Sequence, residues 1–336
     1  VKRITVTFAG QKIEFVDREV ALRQVEEIGE RGTYPVYVIY GPEGCGKTAF
    51  LQQAKVMLEE EFKYHVVYVS PLARKREEIL QFTPSIRDIV REVLKTFPDP
   101  YSKIVDVAIE IAGYVLKKFS KPRLAVLMDD IFQAVSLSEA ELYVKALLNL
   151  IEWPSGEYER IVIIVTSSEG VTKSRVGRHR WADLYTMWNM SEKGFRELYE
   201  CLSVNKPDFE QAWKLTGGNP GYIERLLRVN WNVDYVINSI IQRSNVTHTF
   251  VRKWRKHLEE AINDPDYLWY GPEEVEELAK ELVERNLIVF NLPPRDQYMW
   301  IDTPPPEKDP EAGIGRHVAW QTPLHREAIR RVLGMS

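Results

Sequence analysis

The run Gly41-Pro42-Glu43-Gly44-Cys45-Gly46-Lys47-Thr48 constrains this chain more than any other segment. An apolar, β-branched and aromatic stretch from Pro35 to Tyr40 leads into it, and a helical pattern from Thr48 to about Phe62 follows it. Glycines let backbone N–H groups turn inward around an anion. The N-terminus of the following helix adds positive potential at the same place. At this spacing Lys47 reaches the β- and γ-phosphates of a nucleoside triphosphate, and the Thr48 hydroxyl reaches Mg²⁺. A chance glycine-rich turn is the alternative, and it is disfavoured because the spacing and both flanks agree.

Further strands are expected at His65–Ser70, Leu124–Met128, Ile161–Thr166 and, more weakly, Asp183–Met190, with helices between them. Strands alternating with helices predict a parallel sheet covered on both faces, an α/β class. Ahead of it, residues 1–16 alternate around Ile4, Val6, Phe8, Ile13 and Phe15, with Ala9-Gly10-Gln11 as the turn of a small hairpin. Asp17 is expected to cap a helix running to about Gly29. Residues 71–120 read as amphipathic helices broken by Pro84, Pro98 and Pro100.

The strand Leu124–Met128 ends in two carboxylates, Asp129 and Asp130. Beside a phosphate loop the first acid holds Mg²⁺ through its water shell, and the second orients or deprotonates the attacking water. A pair of acids at a strand end also serves as a helix cap, the plainer reading. The strand at His65–Ser70 lies between the P-loop strand and this one. That insertion, with an acid after the Mg²⁺ aspartate, points to P-loop proteins with a dedicated catalytic acid rather than nucleoside kinases or small GTPases.

With 336 residues the chain suits two or three domains. Apolar residues at 44% and charged residues at 28% are globular usage and argue against disorder. A formal charge of -4 gives no support to a protein that coats nucleic acid. Cys45 and Cys201 make no disulfide framework or zinc spacing, and a reducing, cytoplasmic compartment is expected. No apolar signal segment and no run of about 18 apolar residues is present, so no membrane is expected as partner. Cys45 reads as a small residue filling the loop, with a redox-sensing thiol as the sharper alternative. The six histidines show no metal-ligand spacing.

After residue 191 the pattern changes. Segments 192–203, 207–216, 220–229 and 233–262 read as helices, and Asp264-Pro265 breaks the last. A helix at Glu273–Arg285, a strand at Leu287–Asn291, a loop rich in proline and charge, and a helix at Pro323–Leu333 outline a winged helix. Trp300 and Trp320 flank that loop and are placed to pin it. The expected domains are a hairpin at 1–16, a P-loop nucleotide-binding domain at 17–190, a helical lid at 191–240 and a winged-helix domain at 241–336.

These residues together resemble the archaeal ATPase family within the STAND class of P-loop NTPases, which is related to AAA+ and origin-recognition ATPases. The resemblance is carried by Phe15-Val16-Asp17-Arg18-Glu19, the P-loop, Asp129-Asp130-Ile131-Phe132-Gln133, Ile163-Ile164-Val165-Thr166-Ser167-Ser168 and Thr216-Gly217-Gly218-Asn219-Pro220-Gly221-Tyr222. It implies ATP and Mg²⁺ as cofactors. The nucleotide contacts it implies are Gly41, Pro42, Glu43, Gly44, Cys45, Gly46, Lys47, Thr48 and Ala49, with Arg18 near the adenine, Ser167 at the fourth strand and Pro220 in the lid. Thr48 and Asp129 are the implied metal ligands, and Asp130 and Lys47 the catalytic residues. The sequence departs at Asp130, where such ATPases often carry glutamate, and at Ser168, where many carry arginine. Arg175, Arg178 and Arg180 are the candidates to replace that arginine, and the sequence does not choose among them.

The function expected is a slow ATP-hydrolysing switch that couples ATP or ADP to a protein partner through the lid or the winged helix. One alternative is a DNA-handling ATPase of the origin-recognition or transposition-helper type. DNA is not supported by charge, because the Glu273–Arg285 helix carries Glu273, Glu274, Glu276, Glu277, Glu281 and Glu284. Another is a nucleotide-gated interaction module with negligible turnover. Two basic clusters, Lys173 to Arg180 and Arg252 to His257, suit either a finger or nucleic-acid role, or a solvated loop and an exposed helix face with Trp254 in the core.

Overall fold

A computed structural model describes residues 2–335 except 74, 134, 136, 169, 171–175, 177–179 and 204. The strands in chain order are β1 (Thr5–Phe8), β2 (Gln11–Glu14), β3 (Val36–Tyr40), β4 (His65–Val69), β5 (Leu80–Phe82), β6 (Arg123–Met128), β7 (Arg160–Ser167), β8 (Ala182–Met187), β9 (Ile288–Phe290), β10 (Trp300–Ile301) and β11 (Val318–Trp320). The chain divides into two compact units. The first comprises Val1–Ile4, Glu19–Tyr40 and Lys47–Tyr185. The second comprises Thr5–Arg18, Gly41–Gly46 and Thr186–Ser336.

The first unit is built on a sheet with the strand order β8-β3-β7-β6-β4-β5. Pairs β3–β7, β7–β6 and β6–β4 are parallel, and β4–β5 is antiparallel. Successive residues along a strand face opposite sides. In β6, Leu124, Val126 and Met128 join one core with Val67, Val69, Ile163 and Val165, packed under the helices Arg87–Thr96, Ile104–Lys118 and Leu137–Glu152. Ala125 and Leu127 face the other way and are fully buried, on the side of the helices Glu19–Arg31 and Lys47–Glu60. Burial on both faces explains why these strands read as continuous apolar runs. Parallel strands end at one edge, so β6 delivers Asp129 and β7 delivers Ser167 to the same side of the sheet.

In the second unit β1 and β2 form the antiparallel hairpin, turning through Ala9 and Gly10, both at positive φ. Ile13 packs with Phe195, Tyr199, Ala212 and Ile223 of the helices Glu192–Glu200, Phe209–Thr216 and Pro220–Arg228. A separate core joins the helices Val233–Arg243, His248–Asn263, Val275–Glu284 and Pro323–Leu333 to the antiparallel pair β9–β11. Trp254 is buried there, and Lys253 beside it pairs with Glu277 and Glu281.

Four details differ from the sequence reading. The first helix begins at Glu19, and Asp17 and Arg18 before it both adopt left-handed backbone. β5 is an extra edge strand, too short for its alternation to show. The 233–262 helix is two helices, interrupted at Asn245 with φ 47° and restarted by Thr247, whose hydroxyl caps Phe250 N–H. β10 interrupts the proline-rich loop and pairs with Thr186 and Met187, the last two residues of β8. Trp300 is fully buried and donates its indole N–H to Pro294 O at 2.7 Å. Among the described residues, no helix is long and apolar enough to cross a membrane.

Leu127 sits fully buried in β6 between two parallel neighbours. Leu127→Ala is expected to cost about 2–5 kcal/mol by urea unfolding. A loss under about 1 kcal/mol would contradict this packing.

Candidate functional site

The chain passes from the second unit to the first between Gly46 and Lys47. On the first-unit side, Lys47 and Thr48 open the helix Lys47–Glu60, and Lys47 is 4% exposed. Thr48 Oγ1 donates to Asp129 Oδ2 at 2.9 Å, and Thr166 Oγ1 donates to Asp129 Oδ1 at 2.8 Å. Burial raises the Asp129 pKa above the usual carboxylate value, and the Asp130 charge adds to the rise. The hydroxyls of Thr166 and Thr48 and the Lys47 ammonium oppose it.

Asp130 lies at positive φ, and its N–H donates to Thr166 Oγ1 at 3.0 Å. Its Oδ2 accepts from Ser168 Oγ at 3.2 Å, whereas Oδ1 is buried with no hydrogen-bond partner among the described residues. An orphaned buried carboxylate oxygen is costly and marks a place where a water or ligand belongs. Adjacent hydroxyl and carboxylate oxygens at Thr48 and Asp129 are the hard donors Mg²⁺ takes, with waters and phosphates completing its octahedron. Among the described residues no group of three or more His, Cys, Asp or Glu converges as a metal cage.

On the second-unit side, the loop Gly41–Gly46 is gripped by its backbone. The Asn219 amide donates to Glu43 O at 2.9 Å, and Gly221 N–H donates to Gly44 O at 3.0 Å. A Cβ on Gly221 would stand 2.7 Å from the Gly44 Cα, and Gly44 itself has φ +79°, so both positions need glycine. Gln321 Oε1 accepts Glu43 N–H at 3.0 Å. Asn286 donates to the Glu43 carboxylate at 3.0 Å and accepts from Gln321. The Cys45 carbonyl accepts from Arg18 Nη2 at 2.6 Å. The Cys45 thiol is fully buried against Met187 O, which suits the space-filling reading of that residue.

Asn219 is fully buried and makes three bonds. Its Oδ1 caps Tyr222 N–H at 3.1 Å, and its Nδ2 serves both Glu43 O and Asn189 Oδ1. Pro220 takes the first position of the helix, where a missing N–H costs nothing. Tyr222 in turn meets His325 Nε2 at 3.0 Å, and burial pushes the His325 pKa down to about 3.

The structure therefore gathers Lys47, Thr48, Asp129, Asp130 and Ser168 in one unit, with Ser167 1% exposed at the end of β7 and Ala49 half-buried one residue after Thr48. It gathers Gly41 to Gly46, Arg18 and Pro220 in the other. Arg18 is 3% exposed, and its guanidinium is committed to Cys45 O, Trp188 O and Asp302. Arg180 is exposed, while Lys173, Arg175, Arg178 and His179 lie outside the described residues. Sequence reasoning missed Asn189, Asn286, Asp302 and Gln321. They are single polar residues far from the motif, and the one available signal was Asn219 just before a helix-opening proline.

Residues 15–226 match a family described as an ATPase domain predominantly from Archaea. The match spans more than half of the chain, and the chain belongs to that family. Comparison with curated proteins gave no match. Among solved structures, the chain is similar to the Aeropyrum pernix Orc1 protein in complex with DNA, at 13% identity over 95% of this chain and 92% of that one, TM-score 0.37. It is similar to Cdc6p from Pyrobaculum aerophilum, at 12% identity over 95% and 96%, TM-score 0.37. It is also similar to a mutant of Thermotoga maritima RuvB, at 14% identity over 68% of this chain, TM-score 0.35. The chain spans 64% of the length of that RuvB chain.

Asn219→Ala is expected to remove a cap worth about 1 kcal/mol and to strand one buried acceptor, Asn189 Oδ1, at about 1–3 kcal/mol. Urea unfolding checks it, and a loss under about 0.5 kcal/mol contradicts the buried network. His325 predicts a pH dependence. Its folded pKa is depressed, so its contribution is full above about 6.5 and is lost as pH falls toward 3. His325→Gln should flatten this acid limb in melts from pH 7 to pH 4, and an unchanged limb would assign it to other groups.

Proposed function

We propose that this chain binds ATP with Mg²⁺ on Gly41–Thr48 and hydrolyses it slowly, as a switch that reports nucleotide state to its C-terminal half. The observation that carries the reading is the 2.9 Å bond between Thr48 Oγ1 and Asp129 Oδ2, which sets two hard oxygen donors side by side directly after Lys47. Bound Mg²⁺ would supply charge neutralisation for the phosphates. Lys47 faces the β- and γ-phosphates, Thr48 and Asp129 hold the ion, and Asp130 orients the attacking water through its unpartnered Oδ1. Ser167 stands at the γ-phosphate end of β7, and Arg18 acts on the loop through the Cys45 carbonyl.

In this reading the chain is a STAND-class relative of the AAA+ ATPases. Residues 1–16 form a hairpin, 17–190 the nucleotide domain, 191–240 the lid and 241–336 a winged helix. The helix Val275–Glu284 followed by β9, β11 and Pro323–Leu333 supports the last assignment. A protein partner fits better than DNA. Lys253 of the basic cluster Arg252–His257 is already paired with Glu277 and Glu281 of the acidic helix.

An aspartate is one methylene shorter than the glutamate common at this position. Misplacement on the order of 1 Å costs about 10²-fold in rate, so turnover is slow. Lys47→Ala should remove most ATP affinity by calorimetry. Asp130→Asn should keep ATP and Mg²⁺ binding and lose single-turnover hydrolysis, whereas Asp129→Asn should weaken the Mg²⁺ dependence itself. Wild-type cleavage by Asp130→Asn would place the catalytic acid elsewhere, and no hydrolysis by the parent chain would favour a binding-only module.

A further inference from the structure

A pocket of about 270 Å³ in the second unit adjoins the phosphate loop from outside. Glu43, Gly44 and Gly221 form one wall, and Arg225, Arg228 and Arg243 reach it from the helices Pro220–Arg228 and Val233–Arg243. The backbone sets which side of the loop this is. Gly44 O accepts from Gly221 N–H at 3.0 Å, so the wall is the carbonyl face of the loop, whereas a phosphate tail meets its N–H face. The proposed nucleotide chemistry leaves this pocket unused.

Three arginines face two glutamates across it. Arg228 pairs with Glu224 at 2.6 Å. The remaining acid of the two helices, Asp234, pairs with Arg331 at 2.7 Å. The Glu43 carboxylate accepts from Asn286 at 3.0 Å. Behind the pocket Tyr222 and His325 carry no charge at neutral pH, because burial pushes the phenol up to about 12 and the imidazole down to about 3. Arg225 and Arg243 are left without an ion pair among the described residues. Arg225 is half-buried, and its direction is fixed by a hydrogen bond to Ser239 Oγ and by the Tyr222 ring, 5.8 Å away. Arg243 is exposed.

Two guanidiniums against the single carboxylate of Glu43 leave a positive balance, and an ion of higher negative charge gains more from it. Each guanidinium offers a planar fork of donors that fits phosphoryl oxygens. The volume lies just under the range of about 300–1,000 Å³ for drug-sized ligands, and a water occupies about 30 Å³. An inorganic oxyanion with part of its hydration shell fits that space.

We propose that Arg225 and Arg243 form a binding site for free inorganic phosphate on the carbonyl face of the phosphate loop. The bound ion bridges the two helices beside the bond between Gly221 and Gly44. The site stands independently of the ATP reading of Gly41–Thr48.

Because the phosphate loop can itself take phosphate, the full chain carrying Lys47→Ala is the starting material, in equilibrium dialysis with labelled phosphate at constant ionic strength. It should bind one phosphate with a dissociation constant of about 1 mM or tighter. Adding Arg243→Gln, at an exposed position on which the fold does not depend, should weaken binding about ten-fold or more. Arg225→Lys keeps the charge, loses the fork and should weaken it about five-fold. Acetate should compete about ten-fold or more less well than phosphate. In hydrogen–deuterium exchange, phosphate should slow the Gly221 amide about five-fold or more.

No phosphate bound by the Lys47→Ala chain at millimolar concentration would assign any binding to the phosphate loop and overturn the site. Undiminished binding in Arg243→Gln or Arg225→Lys, acetate as effective as phosphate, or unchanged exchange at Gly221 would each overturn it too. Where Lys47→Ala proves unfolded by circular dichroism, the parent chain carries the test. Arg243→Gln should then lose one phosphate per chain, and an unchanged stoichiometry would overturn the site. A chain that binds no ATP contradicts the ATP reading alone, while the phosphate dialysis still decides this pocket.

Discussion

A loop that turns its N–H groups toward an anion turns carbonyls away from it, and those carbonyls need partners when buried. In this chain the partners come from residues about 175 positions later. Asn219 and Gly221 take the carbonyls of Glu43 and Gly44. Much of the second unit follows from that requirement. Gly44 and Gly221 must lack side chains, Asn219 must be an amide, and Pro220 fixes the helix that begins there. Gln321 and Asn286 then complete the set around Glu43.

The acids obey a different constraint. Asp129 is buried beside a second carboxylate, and its ionised form is disfavoured on both counts. Two threonine hydroxyls and Lys47 offset that penalty only in part. A divalent cation bound here would relieve the remainder, which supports the proposed Mg²⁺ site on physical grounds. Asp130 has one oxygen engaged by Ser168 and the other buried without a hydrogen-bond partner among the described residues.

The α/β sheet was legible because parallel strands buried on both faces leave continuous apolar runs such as Leu124–Met128. The phosphate loop was legible because its spacing is local. β5 and β10 were not legible. Three and two residues carry no usable period, and β10 forms only where Trp300 meets the end of β8. Arg18 shows the limit most clearly. The family resemblance implies a place near the adenine for it, and the structure adds that its guanidinium is held by Cys45 O, Trp188 O and Asp302, the last 284 residues away. Pairings of that separation leave no trace in a single sequence, and neither do Gln321 and Asn286.

The central claim is that the grip of Asn219, Gly221 and Gln321 on the phosphate loop responds to nucleotide. Hydrogen–deuterium exchange of the full chain with Mg²⁺ and ATP, ADP or no nucleotide measures this most directly, with Lys47→Ala as the control. The account predicts that ATP changes exchange at Gly44–Cys45, Gly221–Ile223 and Trp320–Thr322 together, with no change in the control. Protection altered within Gly41–Thr48 alone, and unchanged at the two distant segments, would contradict it.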